Sequence, residues 1–227
     1  MNYRIVLRIL AFSGFLFNTL ESSAQKGKKV LLFRPDQQKE WYLFLDKTGK
    51  NNDPTNVFQF EGETLHVSGQ QLGYICTEKI FGDFHLIFEF KWGDKRYPPR
   101  ENEKRDGGVL YCAQTYNSDK VWPISIECQV QEGDCGDFWM VGGSQIIHHD
   151  TLTSPAGSKR ADKFKDAEKP KGEWNKVEVI FVNGNIKHLI NGVLVNEGRD
   201  ASLRRGRILL QSEWAEIYYR NASVEEM

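Results

Sequence analysis

Three polar side chains share one face of one strand. Over residues 124–131, Ile126, Cys128 and Val130 point one way, and Glu127, Gln129 and Gln131 point the other, because side chains alternate along a strand. A central strand normally buries both faces, so three polar groups in a row call for water, partners or a ligand. Immediately after them come Glu132, Asp134 and Asp137, with Gly133 and Gly136 allowing sharp turns and Trp139 supplying an aromatic plate. Acids beside an indole suit a sugar, which offers hydroxyls at its edge and C–H groups on its face. The plainer alternative is a solvated edge strand closed by an acidic turn.

Several chemistries can be weighed against these residues. Double-displacement glycoside hydrolysis needs two carboxylates about 5 Å apart. Glu127 is followed on its own face by the amides Gln129 and Gln131, which disfavours that route on this strand. No G-x-S-x-G elbow marks a serine nucleophile. His148-His149-Asp150 is a reserve source of a catalytic base, although strand neighbours face opposite ways and only one histidine can serve a given site. Glu127, Asp134 and Asp137 offer oxygen ligands to a divalent cation such as calcium, but no recognised calcium loop is present and no metal ligand is assigned.

The elements that must hold these groups read as strands. Phe84, Leu86, Phe88, Phe90 and Trp92 alternate with His85, Ile87, Glu89 and Lys91. Strands also fit residues 41–45, 57–60, 64–67, 74–77, 109–113, 145–148, 207–212 and 217–220. Asn183-Gly184 and Asn191-Gly192 separate 174–182, 186–190 and 193–196, a three-strand meander with primed turns. The spacing predicts no helix beyond a couple of turns, so the fold is all-β, a sandwich or a barrel. Two polar segments, 93–106 and 151–173, are long for a compact domain and either serve a site or are mobile surface loops.

The whole-chain figures set the class. There are 30 Lys and Arg against 31 Asp and Glu in 227 residues, a net charge of -1, which leaves no excess positive charge for a nucleic-acid partner. The 40% hydrophobic and 12% aromatic content excludes disorder. Arg4 and Arg8 precede or enter an apolar run ending at Leu20, and Ser22 and Ala24 are small residues suited to cleavage before Gln25. This is the order of a secretory signal peptide, with an uncleaved anchor helix as the alternative. The expectation is an exported protein, periplasmic or secreted, with a signal at 1–24, an extension at 25–40 and one domain at 41–227. No second apolar run of membrane length follows. Cys76, Cys112, Cys128 and Cys135 permit three disulfide pairings, Cys112 with Cys128 being the candidate from neighbouring strands. The oligomeric state is left open.

The ordered motifs resemble the 3-keto-disaccharide hydrolase family. The landmarks are GDFHLIFEFKW (82–92), DGGVLYCA (106–113), IECQVQEGDCGDFW (126–139), GEWNKVEVIFVNGNIKHLINGVLV (172–195), GRILLQSE (206–213) and YRNASV (219–224). The resemblance implies a concanavalin A-like jelly roll of two antiparallel sheets whose concave face carries a carbohydrate. It also implies cleavage of glycosides already oxidised at carbon 3, by loss of the C2 proton, elimination of the aglycone and addition of water. A non-catalytic carbohydrate-binding module on the same sandwich is the alternative. Carried over by residue, the resemblance marks Glu127 as acid or base, and Gln129, Gln211 and Arg220-Asn221 as matching family positions. Asp134, Asp137 and Trp139 are expected at the rim. Arg220 and Asn221 could equally fasten the last strand. Asp106-Gly107-Gly108 replaces the family's N-S-G, and Cys112 stands where many members carry Arg.

Overall fold

The structure is a computed structural model that describes residues 27–115 and 120–227. The signal-like segment at 1–24 lies outside the described residues. In chain order the first strands are β1 (Lys29–Leu31), β2 (Trp41–Leu45), β3 (Gly49–Lys50), β4 (Phe58–Glu61), β5 (Thr64–Val67) and β6 (Gly73–Thr77). There follow β7 (Phe84–Arg96), β8 (Asp106–Ala113), β9 (Ser125–Gln131), β10 (Phe138–Val141), β11 (Ile147–His148) and β12 (Thr151–Leu152). The last are β13 (Lys159–Ala161), β14 (Asn175–Val182), β15 (Asn185–Ile190), β16 (Val193–Gly198), β17 (Arg207–Ser212) and β18 (Ala215–Glu226).

These strands form the all-β jelly roll of two antiparallel sheets. The first sheet runs β16-β15-β14-β7-β18-β5-β4, with β1 also paired to β18. The second runs β13-β10-β9-β8-β17-β6-β2-β3. Strands β11 and β12 make a separate small hairpin. The alternation read in β7 buries Phe84, Leu86, Phe88, Phe90 and Trp92 between the sheets. Opposite them lie Val109, Ile126, Cys128, Val130 and Leu210. Each such large apolar side chain contributes about 1.5–3 kcal/mol on burial. His85, Ile87, Glu89 and Lys91 face outward from the first sheet.

The second sheet has a further small apolar cluster on its other, concave face. Tyr42, Tyr74, Cys76, Leu110, Val141 and Leu209 are buried there, with Phe44 and Trp139 packed against them. The concave face is therefore apolar at one end and polar beside Glu127.

Several boundaries differ from the sequence reading. The segment at 25–40 is not a mere extension, because β1 pairs with β18 through Lys29↔Glu225, Val30↔Val224 and Leu31↔Ser223. Strand β10, inside the acidic run, was hidden by the glycines that precede it. The loop at 93–106 is shorter than expected, since β7 continues to Arg96. Within the loop at 151–173, β13 pairs with β10 at the sheet edge. No disulfide joins the four buried cysteines. Cys128 is aligned with Val109, whereas Cys112 sits in a bulge at φ 51°, where the β8–β17 register shifts.

Candidate active site

Register alone assembles the polar end of the concave face. In β9–β8 pairing, Glu127 is opposite Leu110, Gln129 opposite Gly108 and Gln131 opposite Asp106. Strand β17 lies on the other side of β8, with Leu209 paired to Leu110, and Asp106 bridges to Glu213. Three short rows result. Glu127 and two leucines form the first, Gln129, Gly108 and Gln211 the second, and Gln131, Asp106 and Glu213 the third.

Gly108 is the floor of this array. A Cβ there would lie 2.0 Å from Glu127 Oε1 and 2.2 Å from Gln211 Oε1. Any other residue would fill the space that these two side chains occupy. The resulting groove has a volume of about 260 Å³. That is just below the range of pockets for drug-sized ligands, ~300–1,000 Å³, and suits one sugar ring better than several. Trp139, aligned with Glu127 across β9 and β10, walls one side, and the 41% exposed Trp122 stands with it.

Asp106 is the anchor of the third row. Its Oδ1 accepts hydrogen bonds from the Gly107 N–H at 2.9 Å and from Gln129 Nε2 at 2.8 Å. Its Oδ2 accepts from Gln131 Nε2 at 2.5 Å and Arg100 Nη1 at 2.6 Å. The same Arg100 nitrogen reaches Glu213 Oε1 at 2.7 Å, and Arg100 Nε binds Glu103. Burial raises both Asp106 and Glu213, which share this one guanidinium. With four donors Asp106 is the better-held anion. Glu213 has only Arg100, and burial followed by the Asp106 charge pushes it up to about 8.

Glu127 is different. It is buried, and no hydrogen bond from the described residues reaches its carboxyl group. Burial, then the Glu213 and Asp106 charges, pushes its pKa well above the ordinary carboxylate range. Beside it the Gln211 Oε1 atom is buried and accepts no hydrogen bond. A carboxyl group without donors and an amide oxygen without a partner thus face the same pit. Unmatched buried polar groups of this kind mark sites completed by a ligand.

The structure brings together Glu127, Gln129, Gln131, Gln211 and Trp139 of the residues singled out in the sequence. It places the others elsewhere. Asp134 is held by Lys104 at 2.9 Å and Arg160 at 3.2 Å. Asp137 takes the Lys163 N–H at 2.8 Å and pairs with Arg160 at 2.6 Å. Both acids tie the edge strand and the following loop to the sheet, behind Trp139. His148 is hydrogen-bonded to Asn196 at 2.9 Å and packs on Phe138. His149 lines a separate hollow with Phe164, Glu197 and Arg199. Neither histidine reaches the groove, because the β11–β12 hairpin folds against the edge strand β16. Arg220 projects from the outer face of the first sheet, bonded to Glu89 at 2.7 Å and stacked 3.9 Å over Trp174. The fastening role weighed for it is the one its contacts serve. Cys112 points into the core, so the exchange for Arg removes nothing from the groove. Among the described residues no group of three His, Cys, Asp or Glu side chains is placed to hold a metal ion.

Glu213, Arg100 and Trp122 escaped the sequence reading, and Asp106 and Gly108 entered it only as departures from the family's N-S-G. No second carboxylate shares the Glu127 face of β9, and Asp106 and Glu213 arrive from neighbouring strands. The parity of β8 and β17 would have put both acids on the concave face once the order β9-β8-β17 was known.

Residues 31–225 match the sequence profile of the 3-keto-alpha-glucoside-1,2-lyase-like domain. A candidate glycosyl hydrolase from Parabacteroides distasonis shares the fold at a TM-score of 0.61 and 16% identity, over 88% of this chain and 94% of that one. The carbohydrate-binding module CBM66 of Bacillus subtilis gives 0.56 at 12% identity, over 82% and 96%. A LamA variant of Zobellia galactanivorans, solved with laminaritriose and laminaritetraose, gives 0.56 at 9% identity, over 88% and 98%. No curated protein sequence matches the chain.

Proposed function

Because this chain belongs to the 3-keto-disaccharide hydrolase family, that of the 3-keto-alpha-glucoside-1,2-lyase-like domains, we propose that it cleaves glycosides whose sugar ring carries a ketone at carbon 3. The observation that carries this reading is the Glu127 carboxyl group, buried and without donors, over the Gly108 pit.

A ketone at C3 makes the C2 hydrogen acidic. Glu127 in its anionic form takes that proton. The electron pair of the C2–H bond becomes the C1=C2 bond as the C1–O bond breaks. The departing oxygen needs a proton, and Glu213, which keeps its own to about pH 8, lines the same groove. Water then adds across the double bond and restores the 3-keto sugar. A carboxylate whose pKa is raised by burial is a stronger base for such a transfer. No donor to Glu127 has to be displaced first. Trp139 and Trp122 stack on the sugar face, and Gln211 Oε1 accepts from a ring hydroxyl. We place the protein outside the cytoplasm, on the signal-like order of residues 1–24. No cofactor enters this route.

The binding-module reading has the likeness to CBM66 behind it and is separated by one experiment. Glu127→Gln keeps the shape and removes the proton transfer. Aglycone release from a chromogenic 3-keto-glucoside should fall by roughly 10²–10⁴, the usual worth of a positioned acid or base, while sugar affinity changes little. Turnover within a few-fold of the wild type removes Glu127 from the mechanism. Absence of turnover in the wild type itself leaves the binding module.

A further inference from the structure

The groove is poor in positive charge. Its carboxyl groups are Asp106, Glu127 and Glu213, and the guanidinium that answers them is Arg100, already shared between Asp106 and Glu213 and bonded to Glu103. The side-chain amides of Gln129 and Gln131 each give one hydrogen to Asp106. Two oxygen atoms, Glu127 Oε1 and Gln211 Oε1, stand over Gly108. The Glu127 carboxyl group has no donor among the described residues. The Gln211 side-chain oxygen, on a residue 2% exposed, is buried without a partner. None of the residues lining the groove is Lys, Arg or His.

We infer that the pit over Gly108 receives a positively charged, multiply donating group, and that the sugar this groove selects is an amino sugar in preference to a neutral or an anionic one. The inference rests on the reading that the groove takes a sugar, and it names the class. An ammonium group carries three donors and no acceptor, the complement of Glu127, Gln211 Oε1 and Glu213. It also supplies the positive charge that burial leaves wanting: burial and the like charges around them raise both Glu127 and Glu213. A uronic acid or a sulfated sugar would bring a negative group up against three carboxyl groups in a space with no unshared cation, which a partly desolvated site penalises.

The test is calorimetric binding of three unoxidised methyl glycosides to the wild-type protein: of glucosamine, glucose and glucuronic acid. The working pH is about 6.5, below the ordinary range of an amino group. The amino glycoside should bind about tenfold more tightly than the neutral one, the gain of charge-assisted over neutral hydrogen bonds. The glucuronide should bind at least tenfold more weakly than the neutral one. Glu213→Gln, which keeps the shape and removes a carboxyl group that an ammonium group would help to ionise, should shrink the ratio of amino to neutral affinity. Raising the pH until the amine is neutral should shrink it as well. An amino glycoside no tighter than the neutral one, a glucuronide as tight as either, no binding by any of the three, or a ratio unmoved by Glu213→Gln each overturns the inference. Since none of these ligands carries a ketone, that outcome is independent of whether 3-keto-glycosides are cleaved.

Discussion

Replacing Gly108 with alanine separates the pit from the fold that carries it. The added methyl would stand 2.0 Å from Glu127 Oε1 and 2.2 Å from Gln211 Oε1. Carbon–oxygen contacts that short are not sustained, so both side-chain ends must retreat by about 1 Å or more. Both are the far ends of flexible chains, no backbone atom stands in the way, and Gly108 is not among the positive-φ residues. The stability cost should accordingly stay at the low end of overpacking, about 1–3 kcal/mol. For a domain of this size that is a fall in Tm of roughly 2–4 °C per kcal/mol. The functional cost should be far larger, because a catalytic group moved by 1 Å loses about 10²-fold. Gly107→Ala is the control. Its methyl would meet the Tyr219 hydroxyl at 3.5 Å and the Val130 carbonyl at 3.7 Å, which is ordinary contact. Thermal melts and kcat/KM on a 3-keto-glucoside give both readings for both variants. Wild-type kcat/KM in Gly108→Ala, or equal losses in Gly107→Ala, would refute the assignment of the pit as the reaction centre.

Two further outcomes are expected. Glu213 has a folded pKa raised from 4.5 to about 8, so the stability it supplies is whole below pH 4.5 and is lost as the pH rises towards 8. Tm should fall over that interval in the wild type and fall less in Glu213→Gln, by the equivalent of a few kcal/mol at most; parallel pH profiles would contradict the burial argument. Arg220→Ala should leave kcat/KM within about twofold and cost no more than about 1 kcal/mol, since a half-exposed ion pair and a ring contact are all it removes. A loss of turnover above tenfold would return Arg220 to the site.

The sheet faces were legible in the sequence because alternation is local. Ile126, Cys128 and Val130 fill the core, and this alone sends Glu127 and Gln129 to the concave side. The meander from β14 to β16 was legible for the same reason, its Asn-Gly turns being written in adjacent residues. What the sequence hid depends on strands far apart in the chain meeting. Glu213 is more than a hundred residues beyond Asp106, and only the order β9-β8-β17 makes them neighbours. Arg100 was concealed in a charged loop whose destination is fixed by the two acids it bridges. The acidic run after Gln131 pointed the wrong way, because Asp134 and Asp137 resemble binding groups until Lys104, Arg160 and Lys163 are seen to occupy them.

Strands β17 and β18 are adjacent near the end of the chain, yet each is interior to a different sheet. Strand β17 joins β8 to β6, and β18 joins β7 to β5 and β1. Strands β1, β5, β6, β7 and β8 each wait with an unsatisfied edge until these two arrive. The jelly roll therefore cannot close progressively as the polypeptide emerges from a ribosome or a translocation pore. Closure is a late, long-range event, slow by topology and exposed to edge-to-edge aggregation while it is pending. A chain built this way stays open until its last two strands have been made.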